Sequence, residues 1–153
     1  MTEFKNSAVK SMVVMRKAFR TIDSRVSATF RDFDLTPAQF SVLDVLQAKG
    51  PMRIGDLIAS ILSTSGNMTI VIKNMEKNGW VKRTVSKKDH RAYIISITGA
   101  GRQLIEKALP AHIEAVEEAF SVLTEDEQKQ LIELLKKFKT LGNKDWAYCC
   151  TVF

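Results

Sequence analysis

Cysteine is scarce in this chain, and long apolar runs are absent. The two cysteines are adjacent, at positions 149 and 150, so the sequence implies no disulfide framework and fits a reducing compartment. No apolar run approaches the roughly 20 residues that a membrane-spanning helix requires. The first six residues lack the apolar segment of a secretion signal. We therefore expect a cytoplasmic protein that does not enter a membrane.

Groups that carry enzymatic or metal chemistry are equally scarce. His90 and His112 are the only histidines, and neither lies near a cysteine or carboxylate cluster at metal-ligand spacing. The chain has no serine nucleophile motif, no phosphate-binding glycine loop and no acidic pair of recognisable spacing. We expect no enzyme activity, no metal and no cofactor. His90 is interpreted as a solvated loop residue. His112 is interpreted as a polar surface group or a satisfied core group, with a place in a ligand cleft as the less favoured alternative.

The middle of the chain has a clear helical period. Apolar residues at three- and four-residue steps predict a short helix over residues 54 to about 61 and a longer helix over residues 65–77. Residues 62–65 are predicted to form the turn between them. Ser63 or Thr64 is the predicted cap of the second helix, because a hydroxyl there can accept a hydrogen bond from a free backbone N–H group.

After the second helix the hydrophobic period changes from 3.6 to 2. Gly79 is predicted to end the helix, since glycine adopts a left-handed conformation without steric cost. Residues 80–85 and 92–97 are predicted strands, and the polar residues 86–91 form the loop between them. This order of elements is typical of a winged helix-turn-helix, which reads duplex DNA. The predicted fold class is mainly α (α+β).

Positive charge is concentrated around this hairpin. Residues 73–91 contain seven basic and two acidic side chains, and so carry five of the six net positive charges of the chain. A charged hairpin tip is usually only solvated, but charge beside a groove-sized helix indicates contact with a phosphate backbone. Asparagine suits adenine, lysine suits guanine or phosphate, and an apolar group suits a thymine methyl. The candidate DNA-binding residues are Thr64, Ser65, Gly66, Asn67, Thr69, Ile70, Lys73, Asn74, Lys77, Arg83, Lys87, Lys88, Asp89, His90 and Arg91.

Three segments resemble the MarR family of transcription regulators. They are residues 65–69 (SGNMT), 75–83 (MEKNGWVKR) and 89–92 (DHRA). The last contains the D-x-R motif of that family's wing. The resemblance implies that Arg91 reaches into the minor groove while Asp89 holds a basic side chain in place. It also implies a homodimer formed by the terminal helices, and a small aromatic or anionic ligand bound between the helical region and the DNA lobe.

The groove-facing residues depart from the family pattern. Many relatives have arginine near positions 70 and 74 and aspartate at 73, where this chain has Ile70, Asn74 and Lys73. The operator sequence of a relative is therefore not transferable to this chain.

The ends of the chain are predicted to be helical. Residues 4–32 contain no proline or glycine and carry an apolar stripe of Met12, Met15, Phe19, Ile22, Val26 and Phe30. This helix could be a core helix of a monomer, but its length favours packing on a second chain as well. Further helices are predicted from Pro37, over residues 99–122, and after a capping box at Thr124. The helices after residue 99 are the acidic part of the chain, so we expect them to lie away from DNA.

We therefore divide one MarR-like domain, residues 1–153, into three parts. Residues 4–33 and 99–142 form the predicted dimerisation region, residues 36–98 the winged helix-turn-helix lobe, and residues 143–153 a tail. The predicted function is a sequence-specific transcriptional regulator, a repressor that binds a pseudo-palindromic operator as a homodimer and is released by a small ligand. The alternatives are an architectural DNA-binding protein, a protein-interaction module, and a redox-responsive regulator that uses Cys149 and Cys150.

Overall fold

The predicted winged helix-turn-helix architecture is confirmed in the computed structural model, which describes residues 6–61 and 67–142. Within those ranges the elements are α1 (Ser7–Arg31), α2 (Pro37–Lys49), β1 (Met52–Arg53), α3 (Ile54–Ser60), α4 (Met68–Lys77), β2 (Val81–Val85), β3 (Tyr93–Ile97), α5 (Gly99–Phe120), α6 (Glu125–Lys136) and a 3-10 helix (Lys137–Leu141). Of the described helices, none combines the length and the apolar character needed to cross a membrane.

Helix α2 begins as its sequence predicts. The Thr36 hydroxyl accepts a hydrogen bond from the Gln39 backbone N–H at 3.2 Å, and the Gln39 side chain accepts one from the Thr36 N–H at 3.0 Å. Pro37 occupies the first helical position, where its missing N–H costs nothing. Gly50 ends the helix with a φ of 80°. These local signals specify the start and end of α2 through short-range bonds.

The sheet has three strands, one more than the sequence predicts. Strand β3 lies in the centre, and both β1 and β2 pair with it antiparallel. Met52 pairs with Ile95 on one side, and Val81 pairs with Ile97 on the other. Strand β1 was missed because a two-residue segment has no readable period. Its extended conformation is stabilised by pairing with β3 and by the packing of Met52 against the core.

One apolar core joins the lobe to the helical region. Its most deeply buried residues come from five elements that are far apart in the sequence: Val42, Leu43, Leu46, Leu57, Ile72, Met75, Ile95 and Ile105. Ile105 belongs to α5, so the first part of that helix packs into the same core as α3, α4 and β3. A displacement of α5 would therefore disturb the packing beneath α4.

Helix α4 begins later than the sequence predicts. Its first residue is Met68 rather than Ser65, and its cap is Asn67 rather than Ser63 or Thr64. The Asn67 side chain accepts a hydrogen bond from the Thr69 backbone N–H at 3.1 Å. Asparagine caps a helix as well as serine does, so the propensities of the three residues could not decide between them. Thr64, Ser65 and Gly66 lie outside the described residues.

The terminal helices leave much apolar surface exposed within the single chain. On α1, Val26 and Phe30 are buried, but Met12, Met15 and Phe19 are exposed, Phe19 by 68%. Helix α6 begins with the predicted capping box between Thr124 and Glu127, yet no residue of this helix is buried. The proposed tail, including Cys149 and Cys150, lies outside the described residues.

Candidate nucleic-acid interface

Helix α4 has one buried face and one exposed face. Met68, Ile72 and Met75 point into the core, as predicted. The opposite face is exposed along the whole helix and consists of Thr69, Ile70, Lys73, Asn74 and Lys77. Ile70 is 55% exposed although it is apolar. A helix that presents polar, basic and isolated apolar groups on its free side has the chemistry needed to read base edges in a major groove.

Asn67 stands at the amino-terminal end of this face. Its side-chain oxygen is occupied as the cap of α4. Its NH₂ group and the second lone pair of its oxygen can still bond, but the cap restricts how the side chain can turn toward a base. Asn74 lies in the middle of this face and is exposed.

The wing loop, residues 86–91, is held by hydrogen bonds to its own backbone. Ser86 is buried, and its N–H donates to the Ala92 carbonyl at 2.9 Å. The Ser86 hydroxyl accepts from the Lys88 N–H at 3.3 Å, and the Asp89 carboxylate accepts from the Arg91 N–H at 3.0 Å. These bonds shape the loop while the side chains of Lys87, Lys88, His90 and Arg91 stay exposed.

Asp89 does not hold a basic side chain in the way that the resemblance implies. None of the ion pairs among the described residues involves it. Its carboxylate instead accepts the backbone N–H of Arg91, two residues further on, which is the pattern of an Asx turn. Asp89 therefore orients Arg91 through the backbone and leaves the guanidinium free to contact a ligand.

Arg83 differs from the other basic candidate residues because its side chain bonds to another side chain within the described part of the chain. Its Nε lies 3.1 Å from Oε1 of Glu76, and its guanidinium carbon lies 5.0 Å from the centre of the Tyr93 ring. Both members of the ion pair are about three-quarters buried. Sequence reasoning missed Glu76 and Tyr93. The predicted strand boundaries do not give this contact, because only the observed register places Tyr93 diagonally across from Arg83.

A tight joint connects the end of α4 to the start of α5. The Thr98 hydroxyl donates to the Gly79 carbonyl at 2.6 Å, and the Thr98 N–H donates to the Trp80 carbonyl at 3.0 Å. Gly79 has a φ of 75°, as its predicted role at the end of α4 requires. Gly101 packs so closely that an added Cβ would collide with the Trp80 carbonyl. The first turn of α5 is therefore fixed to the corner between α4 and β2.

His112 lies in an aromatic cluster between three helices. Its ring is 5.2 Å from the Phe30 ring of α1 and 4.7 Å from the Phe40 ring of α2. Nδ1 is buried and has no hydrogen-bond partner in the described part of the chain, so the expectation of a satisfied core group is wrong. Burial lowers the pKa of His112. His112 lies where the helical region meets the lobe, which is where the resemblance implies a ligand cleft.

No group of three or more metal-ligating side chains occurs within residues 6–61 and 67–142. Most of the described candidate residues lie on one exposed surface, and Asn67, Arg83 and Asp89 differ in that their side chains are bonded within the chain. The parts of this surface are the exposed face of α4 and the wing loop, which the Glu76–Arg83 pair connects.

Comparison with known proteins shows which family the sequence resembles. Residues 35–93 match the sequence model of the MarR family. The chain is 35% identical over 124 residues to the uncharacterized HTH-type transcriptional regulator YkoM of Bacillus subtilis (strain 168), an alignment that covers 81% of this chain and 80% of that protein.

Two solved structures share the fold. One is a mutant MarR from E. coli complexed with operator DNA, with a TM-score of 0.79 and 23% identity over 89% of this chain and 98% of that chain. The other is BpsR of Bordetella bronchiseptica, with a TM-score of 0.72 and 23% identity over 85% of this chain and 98% of that chain. The DNA binding of BpsR is regulated by 6-hydroxynicotinic acid.

Proposed function

Because the chain belongs to the MarR family of transcriptional regulators, which are not enzymes, we propose that it is a cytoplasmic repressor that binds a pseudo-palindromic operator as a homodimer. Two copies of α4 enter successive major grooves, and the two wings contact the flanking DNA. The half-sites then lie about 34 Å apart, one turn of the duplex. A small ligand releases the complex.

The observation that carries this proposal is the free surface of α4 and the wing. Five positions on one face of α4 are exposed, and the wing loop presents four exposed basic or imidazole side chains on a hydrogen-bonded frame. We assign base reading to Thr69, Ile70, Lys73 and Asn74. We assign phosphate or minor-groove contact to Lys77, Lys87, Lys88, His90 and Arg91, with Asp89 orienting Arg91. Asn67 acts mainly as the cap, and Thr64, Ser65 and Gly66 stay predictions.

The exposed apolar surface of the terminal helices supports the homodimer. Helix α1 presents Met12, Met15 and Phe19 to solvent, and the last helices present Leu134 and Phe138. Charge is complementary as well. Residues 7–31 carry six basic and one acidic side chain, whereas residues 99–141 carry eight acidic and six basic ones. A second copy can cover the apolar positions while its acidic helices approach the basic α1. We therefore propose residues 4–33 and 99–142 as the dimerisation region.

The effector that we propose is a small aromatic anion bound between the helical region and the lobe. His112, Phe30 and Phe40 form a buried aromatic cluster there, and the buried Nδ1 of His112 has no hydrogen-bond partner within the described residues, so it can bond to a polar atom of a ligand. BpsR, the structural relative regulated by an aromatic acid, provides the chemical precedent. Such a ligand acts only if it prefers one separation of the two α4 helices.

Selection of bound sequences from a random DNA pool tests the proposal. We expect enrichment of a pseudo-palindrome, and competition with random DNA should displace the protein poorly from the selected site. Affinity should fall steeply with salt, by roughly 10³- to 10⁵-fold between 50 and 200 mM if about 6–10 phosphates are contacted. Binding without enrichment would instead identify an architectural protein, and no binding in dilute buffer would contradict the proposal. A screen of aromatic acids on the selected complex then tests ligand release.

A further inference from the structure

Glu76 and Arg83 form the most buried ion pair within the described ranges. Oε1 of Glu76 lies 3.1 Å from Nε of Arg83, and the side chain of Glu76 is 26% exposed and that of Arg83 28%. The other ion pairs of the described chain both lie on α6 and are at least half exposed: Lys129–Glu125 and Lys136–Glu133. Exposed pairs of that kind contribute little to stability. The Glu76–Arg83 pair is more strongly desolvated and joins two different elements, so it can fix their relative position.

The position of Glu76 in α4 supports a specific role for this pair. Glu76 lies in the last turn of the helix, where the helix dipole disfavours a negative side chain. A carboxylate beside a DNA-binding surface also repels phosphate. Both costs are offset where Arg83 of β2 neutralises the carboxylate. Glu76 thus contributes to this site by fixing the position of the Arg83 side chain, and not by contacting DNA.

Tyr93 extends the pair into the second strand of the wing. Arg83 pairs with Ile95 in the sheet, which makes Tyr93 its diagonal neighbour on the same face. The guanidinium lies over the Tyr93 ring at 5.0 Å, within the range of a cation–π contact. Tyr93 pairs with Val85 at the last register position before the wing loop. The side chain of Arg83 on β2 thus connects α4, through Glu76, with β3, through Tyr93, at the base of the wing.

We infer that Arg83 is a positioning residue, which together with Glu76 and Tyr93 sets the orientation of the wing relative to α4, and that it is not a phosphate contact. This inference rests on the proposed function, in which α4 and the wing must contact one duplex at the same time. Rigid placement of the two reduces the ordering cost of binding. Arg83 then acts on DNA only through the loop that carries Lys87, Lys88 and Arg91.

The charge of Glu76 allows a decisive experiment, because a purely electrostatic role and a positioning role predict opposite changes in operator affinity when that charge is removed. Replacement by Glu76→Gln removes a negative charge, so electrostatics alone predicts tighter operator binding. Loss of positioning predicts weaker binding, by roughly threefold to tenfold. Arg83→Gln should weaken binding to a similar extent, and the double variant should be no weaker than Arg83→Gln alone. Affinity is measured by fluorescence anisotropy on the selected operator at several salt concentrations.

Two control variants repeat the charge changes elsewhere. Asp32→Asn removes an exposed acid at the end of α1, and we expect it to bind no more weakly than wild type. Lys82→Gln removes an exposed cation next to Arg83 on the other face of β2. It should lower the salt dependence slightly, whereas Arg83→Gln should leave the slope of log affinity against log salt unchanged. Equal or tighter binding by Glu76→Gln, together with a reduced slope for Arg83→Gln, would overturn the inference.

A measurement without DNA separates this inference from the proposed function. Hydrogen exchange of the Ser86 and Ala92 amides, whose bonds shape the wing loop, should accelerate in both Glu76→Gln and Arg83→Gln and stay unchanged in the two controls. Unchanged exchange in all variants would overturn the positioning role even if operator binding were confirmed. If either single variant fails to fold by circular dichroism, Tyr93→Leu replaces it, because it removes the cation–π contact and leaves the ion pair in place. Faster exchange of the two amides then supports the link, and unchanged exchange contradicts it.

Discussion

The DNA-facing edge of the lobe and the terminal helices are both poorly buried, but they expose different chemistry. The edge exposes cations and amides on a well-packed frame, since the core beneath α4 is buried and several hydrogen bonds to backbone N–H groups hold the wing loop. The terminal helices expose apolar side chains on a frame that is incomplete, since α6 buries none of its residues. Exposed polar groups indicate a charged ligand, whereas exposed apolar groups indicate a protein partner.

The largest effect that we predict concerns the apolar region. Phe19→Glu places a charge in the proposed interface, and an uncompensated buried charge costs about 3–5 kcal/mol. The dimer should dissociate at micromolar concentration, and operator affinity should fall about 100-fold or more. Analytical ultracentrifugation and anisotropy measure the two effects. Phe19→Leu is the control, because it keeps an apolar side chain. A dimer that survives Phe19→Glu would remove α1 from the interface.

The next effect concerns the charged edge. Arg91→Ala should weaken operator binding by about 1–3 kcal/mol, because one exposed wing contact is lost. Thermal unfolding should be unchanged, since the side chain is exposed and only its backbone N–H is bonded. Arg91→Lys separates charge from geometry: partial recovery indicates a phosphate contact, and no recovery indicates insertion into the minor groove. Unaltered affinity in Arg91→Ala would exclude the wing from the mechanism.

The contact between the first turn of α5 and the lobe has no room for a larger side chain at Gly101. Gly101→Ala forces a Cβ into the Trp80 carbonyl, so the first turn of α5 must shift. Such overpacking typically costs about 1–3 kcal/mol of unfolding free energy. Urea denaturation measures it. Gly99→Ala is the matched control, because an added Cβ at that position meets nothing within 4 Å. Equal stability of the two variants would contradict the close packing of α5 on the lobe.

The smallest effect is a pH dependence at the same boundary. Burial lowers the pKa of His112, so the unfolded chain binds a proton more readily than the folded chain. The stability is therefore complete above the ordinary histidine pKa of about 6.5 and decreases as the pH falls below it. Wild type should show a lower Tm at pH 5.5 than at pH 7.5, and His112→Phe should show a smaller difference.

Asp44 does not obscure this comparison. Burial raises the pKa of its carboxyl group, which acts in the opposite direction at acid pH, but the wild-type chain and the His112→Phe variant share it equally. An identical pH dependence in the two proteins would show that His112 stays uncharged, or is equally solvated, in both states.

Local signals in the sequence determined much of this protein. The capping boxes at Thr36 and Thr124, the end of α4 at Gly79 and the two main strands all follow from short-range chemistry, and all are confirmed. The sequence also predicted which residues of α4 are exposed, because an apolar stripe at helical spacing leaves the remaining positions facing outward.

Tertiary structure decided what depends on residues far apart in the chain. Strand β1 forms because β3 pairs with it. The sequence predicts Arg83 as a free DNA contact, because its partners Glu76 and Tyr93 lie seven and ten positions away in the chain. The choice of Asn67 as cap, and the position of His112 between Phe30 and Phe40, were equally unreadable. Composition and period report which face of an element is apolar. They do not report which charged side chain will find a partner once the elements pack, because that depends on distances that only the fold creates.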